Sequence, residues 1–287
     1  MRWGVLSIFA VLLVSCSTSP QPSAKKSPTA APKLGIRAHG DETVQPDLSK
    51  TPDDLKKVYT YIDDHVDEHV DNLQKWIRQP SISNTGEGIP ESAEMVKGFF
   101  DQLGCQQTRV FDVGVTEYGS PGNPVVWAKC DEGAPKTLAI YWMYDTMPIT
   151  QMDAWRTPPF EARLIEQAPF KKVLIGRGAV NSKGPEMAQL NALMSMKAAL
   201  GKLPVNLVFI AEGDEERMDI GLRKFVKDHP DLVKADAMLM FGGQAPSGAG
   251  GVMGGSEGCI NFELTTSGKA WGRGPTDSDI HGTHMRE

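Results

Sequence analysis

Residues 140–148, IYWMYDTMP, decide how this chain folds. An apolar run ends at Met143, and Asp145 follows just before Thr146 and Pro148. That is a buried strand running into a turn, the place where α/β proteins present a carboxylate. The position two residues before Asp145, where a metal ligand would be useful, holds Met143.

Two further segments repeat the pattern of strand, turn and polar residues. Residues 176–193, GRGAVNSKGPEMAQLNAL, place a glycine-rich turn and Asn181-Ser182-Lys183-Gly184 before a helix. Residues 209–216, FIAEGDEE, place Glu212, Asp214, Glu215 and Glu216 at another strand end. A carboxylate cluster there suits a divalent cation and a general base. Around these segments the chain alternates. Helices are expected at 91–104, 185–200 and 217–228, and strands at 108–114, 124–129 and 137–143. Further apolar strands are expected at KVLIG, VNLVFIAEG and ADAMLMFGG. Strands separated by helices give an α/β sheet covered on both faces. Val58, Ile62, Val66, Val70, Leu73 and Ile77 recur at helical spacing and predict one long amphipathic helix from TPDD to RQPSIS.

The N-terminal residues read differently. Met1-Arg2 and the apolar WGVLSIFAVLLVS form an export signal too short to be a settled membrane span. It ends in LVSC, Leu13 to Cys16, which resembles a bacterial lipobox, so Cys16 is the expected lipidation site. The alternative is an ordinary cleaved secretory signal with an incidental cysteine. Residues 17–50 are rich in Ser, Pro, Ala and Lys and predict a disordered tether. Residues 51–257 then form the α/β domain, and 258–287, where CINFELTTSG alternates as a half-exposed strand would, begin a second one. The 287 residues carry a net charge of −6, which offers no basic footprint for nucleic acid. Cys105, Cys130 and Cys259 remain beside Cys16, with no Cys-x-x-Cys spacing. They could form one disulfide and leave one thiol over, or all stay as buried thiols. HVDEH, His65 to His69, matches an inverted zincin signature. Both histidines adjoin the buried stripe and no third ligand is indicated, so a packed helix face is the better reading.

The order MYD, GRGAVNSKG, EGDEE, LMFGG and, at 279–281, DIH resembles a known family over residues 53–287. It is the co-catalytic zinc metallopeptidase family of carnosinase-type dipeptidases, aminoacylase, acetylornithine deacetylase and glutamate carboxypeptidase. The resemblance implies a phosphorylase/hydrolase-like mixed sheet with helices on both faces, of zinc exopeptidase type. It also implies the start of an α+β lid and dimerisation domain, and hence a homodimer. Glu215 resembles the general base, Asp145 the aspartate orienting a histidine and a metal, and His281 the lid histidine that polarises the carbonyl. Glu216 resembles a metal ligand, and Gly176, Arg177 and Gly178 resemble the structural turn. Zinc, one or two ions, is the implied cofactor, and Asp214 is a further candidate ligand.

The family pattern is also departed from. Met143 replaces the histidine ligand, Asn181 the bridging aspartate and Gly242 the aspartate of a later strand. A neutral thioether is a poor zinc ligand and an amide a weak bridge. The chain also ends soon after DIH, so on this resemblance a truncated gene product is expected. The expected function is an amidohydrolase of the bacterial cell envelope acting on small peptides or acyl-amino acids, with an altered metal site and a lipid anchor. The alternative is an inactive envelope lipoprotein that binds peptides or a partner.

Overall fold

The computed structural model describes residues 47–168 and 170–240, with the backbone of two short strands beyond them. Cys16, residues 17–46 of the expected tether, Gly242, Cys259 and His281 lie outside the described residues. Helices α1 (Asp53–Asp64), α2 (Val66–Arg78) and α3 (Ile89–Leu103) lead into strands β1 (Gln107–Phe111), β2 (Val125–Cys130) and β3 (Thr137–Met143). A hairpin of β4 (Arg163–Gln167) and β5 (Phe170–Ile175) comes next. Then follow α4 (Lys183–Leu200), β6 (Asn206–Glu212), α5 (Ile220–Asp228) and β7 (Ala237–Met240). Strands β8 (Leu264–Thr266) and β9 (Ser278–Ile280) pair antiparallel with each other.

The main sheet has the order β1-β2-β6-β3-β7. β1, β2 and β6 pair antiparallel, while β3 lies parallel between β6 and β7. This is the expected mixed sheet, and its two faces follow from strand alternation. Leu207, Phe209 and Ala211 of β6 face one layer with Ile140 and Trp142 of β3. There they meet Trp76 of α2, Phe100 of α3, and Met187 and Leu190 of α4. Phe100 stacks on Phe209 with ring centroids 4.3 Å apart, and Trp142 packs edge-on against Phe209. Val208 and Ile210 face the other side, where Phe111, Val125, Trp127 and Phe225 of α5 close a second core. Burying side chains of this size stabilises the fold by about 1.5–3 kcal/mol each.

Two features differ from the sequence reading. The single long N-terminal helix is broken at His65, whose backbone turns to φ −118° and ψ 15°. At the break the His65 N–H is shared between the Tyr61 and Ile62 carbonyls, both at 3.1 Å, and the His65 ring Nδ1 competes for the Tyr61 carbonyl at 2.7 Å. The imidazole also stacks on the Tyr61 ring at 3.8 Å. Second, the excursion after β3 contains strand β4, paired antiparallel with β5, where the sequence suggested no strand. Cys105 and Cys130, left open by the sequence, are joined by a disulfide that ties the end of α3 to the end of β2. No described helix is long and apolar enough to cross a membrane.

Candidate functional site

Strands β3 and β6 run parallel with Met143 opposite Glu212, so the turns after them lie side by side. Asp145, in the first turn, is only 3% exposed. Its Oδ1 accepts the backbone N–H of Glu215, and its Oδ2 that of Glu216, both at 3.2 Å. Glu215 and Glu216 open a single 3-10 turn, Glu215–Arg217, and both are half-buried. Three candidate carboxylates are thus brought to one point by one side chain gripping the next turn's amides.

The close approach has a steric condition. A Cβ at Gly213 would sit 2.5 Å from the Tyr144 hydroxyl, which donates to the Pro124 carbonyl. Only glycine leaves room for the β6 turn against β3. The segment after α2 closes the other side: the Ser81 hydroxyl donates to the Tyr144 carbonyl at 2.7 Å, and the Thr146 N–H donates to the Ser81 carbonyl at 2.8 Å.

Burial sets the electrostatics. It raises the Asp145 carboxyl to about 6, against the lowering pull of Ser83 and of the Glu216 and Glu215 amides. Burial raises Glu215 to about 7, with Glu216, Asp145 and Asp219 adding repulsion. Glu216 is also raised by burial, while the Arg177 guanidinium opposes the shift. A carboxyl poised near neutrality has the acidity a proton-transfer group needs.

Asp214 does not join this group as the expected metal donor. It is completely buried and pairs with Arg217 at 3.0 Å. Its Oδ2 accepts the N–H of Asn123 at 2.7 Å and of Gly221 at 3.1 Å. It anchors the loop from inside. Asn181 lies exposed just before α4, and the Met143 side chain is buried at the end of β3. The GRG turn is structural as expected. A Cβ at Gly176 would meet Ile77 at 2.5 Å, and Arg177 donates to the Pro148 carbonyl at 3.2 Å while lying over the Trp155 ring.

Two further buried acids complete the surroundings, and of these the sequence reading singled out only Glu212. Glu212 accepts the Tyr141 hydroxyl, and its carboxyl is raised well above the usual range by burial, with the Tyr141 hydrogen bond opposing the shift and Asp219 adding to it. Glu186 is completely buried in α4 and is likewise raised well above the usual range by burial. The signal for it was present: Lys183, Glu186, Met187, Leu190 and Asn191 are the buried stripe of α4. Charged residues at i and i+3 of that stripe mark an unusual interior.

Among the described residues the candidate donors do not fit a zinc pair. Asp145 commits one lone-pair direction of each oxygen to an amide, Met143 offers a thioether, Asn181 an uncharged amide, and Glu216 is the one described candidate ligand that is anionic and makes no hydrogen bond. Among the described residues no three His, Cys, Asp or Glu side chains are grouped to hold a metal ion. His65 and His69 do not change this. His65 is turned onto Tyr61, and His69 Nε2 lies 3.5 Å from the Ser195 hydroxyl.

Comparison with known proteins agrees with this architecture. Residues 140–253 match the peptidase family M20/M25/M40 profile. Human Beta-Ala-His dipeptidase is 32% identical over 192 residues, covering 64% of this chain and 37% of that protein. A Cys-Gly metallodipeptidase of Candida albicans is 31% identical over 184 residues, covering 60% and 37%. The crystal structure of human carnosine dipeptidase 1 superposes with a TM-score of 0.57 at 30% identity, covering 65% of this chain and 40% of that one. An M20 family metallo-carboxypeptidase from Sulfolobus solfataricus gives 0.55 at 33%, covering 63% and 39%. The chain therefore spans little more than a third of these two relatives, 37% of each. In its mixed sheet, in the paired turns after β3 and β6 and in the match over 140–253, this chain is similar to the M20/M25/M40 metallopeptidases.

Proposed function

We propose that the protein is an amidohydrolase of small peptides or acyl-amino acids whose site keeps the proton-transfer carboxylate and has lost the usual donors of a zinc pair. The observation that carries this is the grip of Asp145 on the Glu215 and Glu216 amides, which holds both glutamates at the strand ends. Glu215 takes a proton from the water that attacks the scissile carbonyl and returns it to the departing amine. Asp145 acts through that turn and holds it in place. His281, outside the described residues, is the candidate for polarising the carbonyl. Because the donors present do not fit a zinc pair, no step is routed through a metal.

The second reading is a catalytically silent relative that binds peptides, and the replacements Met143 and Asn181 favour it. We place the protein in the bacterial envelope, anchored through Cys16, on the strength of the LVSC sequence. The buried Cys105–Cys130 bond suits such an oxidising compartment.

The test is amino-acid release from a panel of dipeptides and acyl-amino acids by the full-length protein and by Glu215→Ala. A hydrolase loses turnover by about 10²-fold or more. Equal residual release by both proteins would defeat the proposal. Retained peptide affinity in an inactive pair would favour the binder. Restoring Met143→His together with Asn181→Asp should raise zinc retention, measured by elemental mass spectrometry.

A further inference from the structure

In a parallel sheet, alternate residues of a strand turn their N–H and C=O groups to opposite neighbours. Tyr144 donates its N–H to the Glu212 carbonyl of β6, so Met143 turns its own groups to the other side, toward β7. The described part of β7 reaches only Met240, opposite Tyr141, two residues short of Met143. Both backbone groups of Met143 are buried and need partners. Helix α4 supplies them. Glu186 Oε1 accepts the Met143 N–H at 2.6 Å, and the Ser182 hydroxyl donates to the Met143 carbonyl. The remaining oxygen of Glu186, Oε2, is buried with no hydrogen-bond partner among the described residues.

We infer that Glu186 and Ser182 form a strand-end clamp in which Glu186 is a positioning residue for Asp145, substituting for a neighbouring strand at Met143. The inference rests on the site proposed above, and its geometry can be tested without any substrate. From Met143 to Thr146, the clamp fixes the first residue, β6 and Ser81 fix Tyr144, and Ser81 fixes Thr146. Asp145 hangs between these fixed points and reaches the Glu215 and Glu216 amides. A carboxyl at 186 is completely buried, which costs stability that a leucine there would not. The backbone contact at Met143 is what that cost secures.

The experiment is residue-resolved amide hydrogen exchange on the full chain, comparing wild type with Glu186→Gln, Glu186→Leu and Ser182→Ala. Glutamine keeps an acceptor for the Met143 N–H and should leave exchange at Met143, Glu215 and Glu216 near wild type. Leucine removes it and should speed exchange at all three by about tenfold or more, with the Val208 amide of β6 unchanged. Ser182→Ala should act in the same direction to a smaller extent, and it covers the case in which the leucine variant does not fold. Unchanged exchange at Glu215 and Glu216 in Glu186→Leu, or in Ser182→Ala if the leucine variant is unfolded, would overturn the inference. So would a glutamine variant that behaves like leucine. These outcomes read the clamp alone, whereas turnover by Glu215→Ala reads the hydrolase proposal, so either can fail without the other.

Discussion

Asp214 and Arg217 form an ion pair at 3.0 Å whose carboxylate is completely buried, directly before the two glutamates of the site. The same carboxylate takes the N–H groups of Asn123 and Gly221, joining the β6 turn to the start of α5 and to the loop before β2. Removing it leaves two amides and a guanidinium without their acceptor. Asp214→Ala should therefore cost about 3 kcal/mol, and Asp214→Asn, which keeps one acceptor oxygen, visibly less. Urea unfolding measures both. A loss below about 1 kcal/mol in the alanine variant, the range of an exposed pair, would mean that Asp214 is not the loop's anchor.

The parts of this arrangement that the sequence shows are those carried by short-range pattern. The apolar run before Asp145 and the one before Gly213 read as strands because each is buried on both faces and bounded by polar turns. Their pairing as neighbours is not legible in the residues and emerges only from the parallel register of β3 and β6. The break at His65 was hidden because the apolar spacing continues through it; the competing contact is a side chain reaching back to Tyr61. Strand β4 was missed because RLIEQ is largely exposed and gains its order only from pairing with β5. The inward turn of Asp214 could not be separated from its acidic neighbours, since four carboxylates in five residues look alike until the loop closes on Asn123 and Gly221. Glu186 was visible as a charge on a buried stripe, but its partner, one backbone N–H forty-three residues away, was not.

The Cys105–Cys130 bond spans a sequence separation of 25 residues that includes β1 and β2. Restricting the unfolded chain over that length is worth about 3 kcal/mol. In a domain of this size that corresponds to roughly 6–12 °C in melting temperature. Calorimetry before and after reduction, with thiol mapping to show that this bond has opened, should find that drop. An unchanged melting temperature after confirmed reduction would mean that the link adds nothing to stability.

His69 gives the pH prediction. It is half-buried against α4, close to the Ser195 hydroxyl, and Asn191 donates to its backbone carbonyl. Burial lowers its pKa below 6.5, the His65 charge adds to that, and Glu68 opposes it. A group whose charged form is disfavoured in the fold leaves stability intact above its unfolded pKa. Stability then falls as pH drops from 6.5 toward the lower folded value, because the unfolded chain takes up the proton first. His69→Leu removes that titration and keeps apolar contact with Val66, Val70 and Leu73, which line the same groove. Urea midpoints measured from pH 8 down to pH 5 should show a constant gap between wild type and His69→Leu at the alkaline end. Below 6.5 the gap should shift steadily against wild type. A gap that stays flat through the whole range would show that the imidazole titrates as it does in water and is not held neutral by the helix packing around it.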